Sequence, residues 1–162
     1  NNRRWPDRLM STTPDKMYQA LLTKVKAVVD LVADDYIYIS YDPIFTQEDD
    51  QYIQIIPGVP TSMTSQAGIY LIEEEFEIAV WSRLYIDQGS RSTSRYADLS
   101  YGILAVISQI RSGLLNHFLS YDGDDNAVLP IMFESGSKLF ESPEQPGWCR
   151  LSDTYKFGYE IT

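Results

Sequence analysis

The stretch from Leu71 to Asp87, LIEEEFEIAVWSRLYID, alternates with a period of two residues over most of its length. From Phe76 onward, Phe76, Ile78, Val80, Ser82, Leu84 and Ile86 fall on one side of an extended chain. Glu75, Glu77, Ala79, Trp81, Arg83, Tyr85 and Asp87 fall on the other. A helix would mix the two sets around its circumference, so the stretch is expected to be one long β-strand. One side should face a core and the other should form a charged, aromatic display. At ~3.3 Å per residue its span from Glu73 to Asp87 alone reaches on the order of 45 to 50 Å, well beyond the roughly 5–6 residues of an ordinary strand. It is expected to project past its own domain.

The segments around this strand have contrasting periods. Thr13-Pro14 places a hydroxyl cap before a proline at a first helical position, and Met17, Leu21, Val25, Val28 and Val32 follow at helical spacing. A long amphipathic helix is expected over Pro14 to Ala33. Tyr36 to Tyr41 has the aromatic and β-branched bias of a strand, stopped by Asp42-Pro43. An acidic turn at Gln47 to Gln51 and a short strand at Tyr52 to Ile56 come next. The stretch PGVPTSMTSQAG, Pro57 to Gly68, has the prolines, glycines and hydroxyls of a loop. A second long helix is expected over Ser94 to Leu119, its stripe made by Leu99, Ile103, Val106, Ile107, Ile110, Leu114 and Phe118. After the turn YDGDDN, strands are expected at Val128 to Phe133 and Trp148 to Ile161, with a tight turn at Ser135 to Lys138. Short connections between strands favour antiparallel pairing. The expected fold is therefore α+β: a mainly antiparallel sheet of four to five strands with two long helices packed on one face.

A chain of 162 residues, 44% hydrophobic and 13% aromatic, has the size and composition of one globular domain. Residues 14–162 are read as that domain and residues 1–13 as a basic N-terminal arm, which lacks the apolar stretch of a secretory signal. No apolar run approaches the roughly 20 residues of a membrane helix, so no membrane partner is expected. The single cysteine, Cys149, allows no internal disulfide and fits a reducing cytoplasm. Charge is uneven: 13 basic side chains stand against 23 acidic ones, yet Arg3, Arg4, Arg8, Lys16, Lys24 and Lys26 outnumber the acidic residues before Ala33. The acidic remainder should repel a nucleic-acid backbone, because phosphate affinity depends on Lys and Arg releasing counterions.

Motifs that would carry catalysis or metal binding fail on inspection. Asp122-Gly-Asp-Asp-Asn126 begins like a calcium loop, but its sixth position is Ala127 and its twelfth is Phe133, where Gly and Glu are needed. Ser135-Gly-Ser-Lys138 matches Ser-x-x-Lys without the companion elements of that hydrolase class. The one histidine, His117, lies at a helix end, where the dipole favours it, and Cys149 reads as a buried structural thiol. No enzyme, metal site or cofactor is expected. Glu73, Glu74, Glu75 and Glu77 cannot converge on one site, since the pleat sends Glu74 to the face opposite Glu73 and Glu75. They serve either to discourage aggregation or to line an interface or lumen. Trp81 and Tyr85, flanking Arg83, have the chemistry of contact surfaces.

The amphipathic first helix, the strand EEEFEIAVWSRLYID, the helix RYADLSYGILAVISQIRSGLLNHF and the final WCRLSDTYKFGYEI together resemble the tail terminator proteins of long-tailed bacteriophages. The resemblance covers most of the chain from Pro14 onward and rests on element order, not on a short motif. It implies a non-enzymatic virion protein, assembled in the host cytoplasm, whose hexameric ring caps the tail tube and joins it to the head or neck. The implied partners are copies of the chain itself, the tail tube protein, a neck or head-completion protein, and DNA passing through the channel without specific binding. Trp81, Arg83, Tyr85, Asp87 and Met63 would then meet neighbouring subunits or the tube. Glu73, Glu75 and Glu77 would face the channel, and Arg3, Arg4, Trp5 and Arg8 would contact the adjoining ring. Two other readings stand beside this one: a head-closure or stopper ring, and a ligand-binding module with Pro57 to Gly68 as its binding loop.

Overall fold

The computed structural model describes residues 12–43, 51–83, 85–88, 91–94, 101–121, 127–139 and 147–161. The arm bearing Arg3, Arg4, Trp5 and Arg8, and the turn from Asp122 to Asn126, lie outside the described residues. In chain order the elements are α1 (Pro14–Val28), a 3-10 turn (Asp34–Tyr36), β1 (Ile37–Ile39), β2 (Gln51–Gln66) and β3 (Ile69–Arg83). Then come β4 (Tyr85–Gln88), β5 (Arg91–Ser94), α2 (Ile103–Leu114), β6 (Ala127–Leu139) and β7 (Trp148–Ile161).

Five strands form one sheet in the order β1-β2-β3-β7-β6, and β4 pairs with β5 in a separate two-stranded sheet. Alternation in β3 sets the layers. Ile72, Phe76, Ile78 and Val80 face the helices, together with Ile53 and Ile55 of β2 and Tyr155, Phe157 and Tyr159 of β7. Met17, Leu21 and Val25 of α1 and Ile103, Val106, Ile107 and Ile110 of α2 close the core over that face. The helices approach closely at Gly113, where an added Cβ would come within 2.4 Å of the Val28 Cβ. Aromatic rings form a row across the sheet: Phe76 stacks on Tyr155 and Phe157 on Tyr159, both at 5.5 Å, and Tyr18 meets Phe157 edge-on at 5.9 Å.

Several expectations are corrected. The sheet is mixed: β1 runs parallel to β2, with Ile37 opposite Ile53 and Ile39 opposite Ile55, a pairing that no local period in the sequence encodes. Neither helix has its expected length. α1 ends at Val28, and Val29 and Val32 stay buried in non-helical chain. α2 spans only Ile103–Leu114, ending before Asn116 at a positive φ of 65°, while Ser94 belongs to β5. Buried valines and leucines beyond a helix end extend its apparent stripe, so the sequence period overstates its length. The fold is a five-stranded mixed sheet with two helices, one of them short, and not a sheet under two long helices.

The stretch expected as a loop, Pro57 to Gly68, is mostly strand. β2 and β3 form a ribbon joined by a two-residue turn, Ala67-Gly68, with φ of 52° and 80°. Pro57 and Pro60 fit because they lie beyond Ile55, where pairing with β1 ends, and at register shifts between Pro57 and Ser62. Ser135–Lys138 likewise lies within β6, where three register shifts place extra residues against a regular β7. All of these irregularities are on the edge strand β6 and on the part of β2 beyond Ile55 that β1 does not cover, whereas β3 pairs with β7 without interruption from Tyr70 to Arg83. The strand expected to run on to Asp87 leaves the main sheet after Arg83, and Tyr85 and Asp87 belong to the β4–β5 hairpin.

Candidate interaction surface

The ribbon is anchored at its base by a buried carboxylate. Glu74 shares the helix-facing side with Ile72 and Phe76, and its Oε2 accepts a hydrogen bond from the Tyr18 hydroxyl at 2.5 Å. Its Oε1 accepts from the Tyr159 hydroxyl at 3.1 Å. The Tyr18 oxygen in turn accepts from the Gly58 backbone N–H at 3.2 Å, tying α1, β2, β3 and β7 together. Position 58 excludes any side chain, since a Cβ there would lie 1.9 Å from the Glu75 carbonyl oxygen. Burial, and then Glu74 beside them, raise the pKa of both Tyr18 and Tyr159 well above the ordinary phenol value.

A second buried carboxylate lies further along β7. Asp153 is fully buried and receives two guanidinium bonds from Arg111 of α2, Nε to Oδ2 at 2.7 Å and Nη2 to Oδ1 at 2.8 Å. The Tyr155 hydroxyl donates to the same Oδ2 at 2.8 Å. Burial, with Asp153 adjacent, raises the Tyr155 pKa. Every carboxylate oxygen in both clusters has a donor, so these groups fix the helices and the ribbon to the sheet. Cys149 is buried with its Sγ 3.5 Å from the Ser82 carbonyl, and burial lifts its thiol pKa to about 11, which makes it a poor nucleophile. His117 is exposed, three residues beyond α2.

Beyond its base the ribbon is open to solvent. Residues 58–65 are all exposed, including Val59 at 69% and Met63 at 58%. The opposite face of the sheet changes character along β3. Toward the ribbon it carries Glu73, Glu75 and Glu77, half-buried, with Glu73 Oε1 3.4 Å from Lys156 Nζ. Further on, Ala79 and Trp81 pack with Tyr52 and Trp148 in a small cluster of their own. Trp81 is only 4% exposed, and its indole N–H donates to Gln54 Oε1 at 2.9 Å. The Arg83 guanidinium lies 4.9 Å over the Trp148 ring, and that of Arg150 lies 5.6 Å over Trp81.

No family model matches the chain, and no curated protein does. Among solved structures, a chain from the "Virion of native gene transfer agent (GTA) particle" aligns over 89% of this protein and 91% of its own length. The TM-score is 0.56 at 14% identity. The two chains share a fold.

Of the residues singled out from sequence, Met63 lies on the exposed ribbon, and Glu73, Glu75 and Glu77 lie in a row on the face away from the helices. Arg83 is half-buried on that face, and Trp81 lies beneath Arg150. Tyr85 and Asp87 sit two positions apart on β4, outside the main sheet. Sequence reasoning missed Asp153 with Arg111, and it missed Arg150. Glu74 carried a readable signal, its parity with Phe76 and Ile78. Asp153 carried the same one, its parity with Tyr155 and Phe157.

Proposed function

We propose that this protein is a structural virion component that forms a ring, hexameric in the bacteriophage tail terminators its sequence resembles, capping the tail tube and joining it to the head or neck. The observation that carries the reading is the fold shared, nearly end to end, with a chain of a gene transfer agent virion. In this reading the exposed β2–β3 ribbon, with Val59 and Met63, meets neighbouring copies or the tube. Trp81, Arg83, Tyr85 and Asp87 belong to or border the same contacts. The row Glu73, Glu75, Glu77 stands at the channel rim, where like charge discourages DNA from adhering. The basic arm with Arg3, Arg4, Trp5 and Arg8 reaches the adjoining ring. Thr12, which follows the arm in sequence, donates its N–H to the Glu160 carbonyl at 3.1 Å, at the ribbon end of β7.

Electron microscopy of the purified protein, alone and mixed with assembled tail tubes, tests this. Annular particles that seat on one tube end are expected, and a monomer that ignores the tubes would refute the reading. Removing Asn1 to Met10 should leave the annulus intact and weaken its joining to heads, and unchanged joining would rule out that role for the arm.

A further inference from the structure

The register shift between Pro57 and Pro60 opens a groove beside β3, walled by Ile56, Pro57, Val59 and Thr154 and bordered by Glu75 and Glu77. It encloses about 220 Å³, open to solvent. That is below the ~300–1,000 Å³ of small-molecule sites, but it suits one long side chain with an apolar stem and a cationic head. Among the described residues no cation pairs with Glu75 or Glu77, whereas Glu73 is held by Lys156.

The other end of the same face has the complementary deficit. The buried Nε of Arg150 has no hydrogen-bond partner, and among the described residues no carboxylate pairs with its guanidinium, in a chain of net charge −10. Arg150 stands opposite Trp81, four residues from Glu77 along β3, a separation of ~13 Å at ~3.3 Å per residue. It is too far to fill the groove of its own chain.

We propose that the Glu75–Glu77 groove of one copy receives the Arg150 guanidinium of the next. This rests on the ring reading above, and it narrows the role of Glu75 and Glu77 from channel rim to subunit joint. Charge of opposite sign at the two ends of one face makes the contact head-to-tail, and such contacts build rings when the rotation closes. The Arg150 guanidinium already lies 5.6 Å over the Trp81 ring, and seated in the groove it would form a charge-assisted pair with Glu75 and Glu77.

The test is sedimentation of the full chain and two charge reversals, Arg150→Glu and Glu75→Arg/Glu77→Arg, with thermal melts as a check on folding. Each reversal alone is expected to weaken assembly roughly tenfold or more while the chain still melts in one cooperative transition. An equimolar mixture of the two should recover particles of wild-type mass, because every joint between unlike copies is again complementary. Should a reversal unfold the chain, Arg150→Gln and Glu77→Gln give the same reading with the side-chain stems kept. Variants that form rings like the wild type would overturn the joint while leaving the ring reading intact. Recovery only of two-copy particles would also overturn it, and a monomeric wild-type protein would remove both proposals.

Discussion

Glu74 and Asp153 are carboxylates placed on the core side of a sheet, a position that costs stability unless every oxygen finds a donor. Tyr18 of α1 and Tyr159 of β7 supply those donors for Glu74, and Arg111 of α2 with Tyr155 of β7 for Asp153. Replacing Tyr159 by Phe should cost about 1–3 kcal/mol, since Glu74 Oε1 loses its bond inside the protein. Arg111→Met should cost about 3 kcal/mol by leaving Asp153 buried without its bidentate partner. Chemical denaturation of each variant measures both. The raised pKa values of Tyr18, Tyr155 and Tyr159 also fix a pH dependence. Their folded values lie above the unfolded value of 10.0, so the stability they confer is complete below pH 10. Above it the unfolded chain loses protons that the folded chain keeps, and stability falls by about 1.4 kcal/mol per pH unit for each tyrosine. Melts across this alkaline range should show the decline, and Tyr159→Phe should make it shallower.

At the scale of elements, the two helices meet through one missing side chain. Gly113→Ala would push a methyl into Val28, and a loss of about 1–3 kcal/mol is expected. Combining it with Val28→Ala should return much of that loss, a coupling that a double-mutant cycle detects. The ribbon gives the opposite behaviour. Val59→Glu and Met63→Glu change exposed side chains, so the stability of the isolated chain should move by less than about 0.5 kcal/mol. The same variants should prevent annular assembly, read by electron microscopy. The ribbon is hidden in the sequence because Pro57, Gly58 and Pro60 are turn residues almost everywhere except on a bulged outer strand. Alternation in Phe76 to Ser82, by contrast, is enough on its own to place each side chain on its face.

For the molecule as a whole, the charge of −10 predicts no retention of duplex DNA even at about 50 mM salt, where phosphate-binding proteins hold tightly. Fluorescence anisotropy with a labelled duplex measures it, and binding there would contradict an acidic rim. The sequence by itself determined the α+β class, the long two-faced strand and the aromatic weight of the last strand. Each of these follows from a local period or composition that the backbone reads over a few residues. Tertiary structure alone decided that β1 runs parallel to β2, where the helices stop and that β4 leaves the main sheet. It also decided that Arg111 reaches Asp153 and that Arg150 lies over Trp81. Those outcomes depend on which distant segments pack together, and a periodic pattern carries no record of its partner.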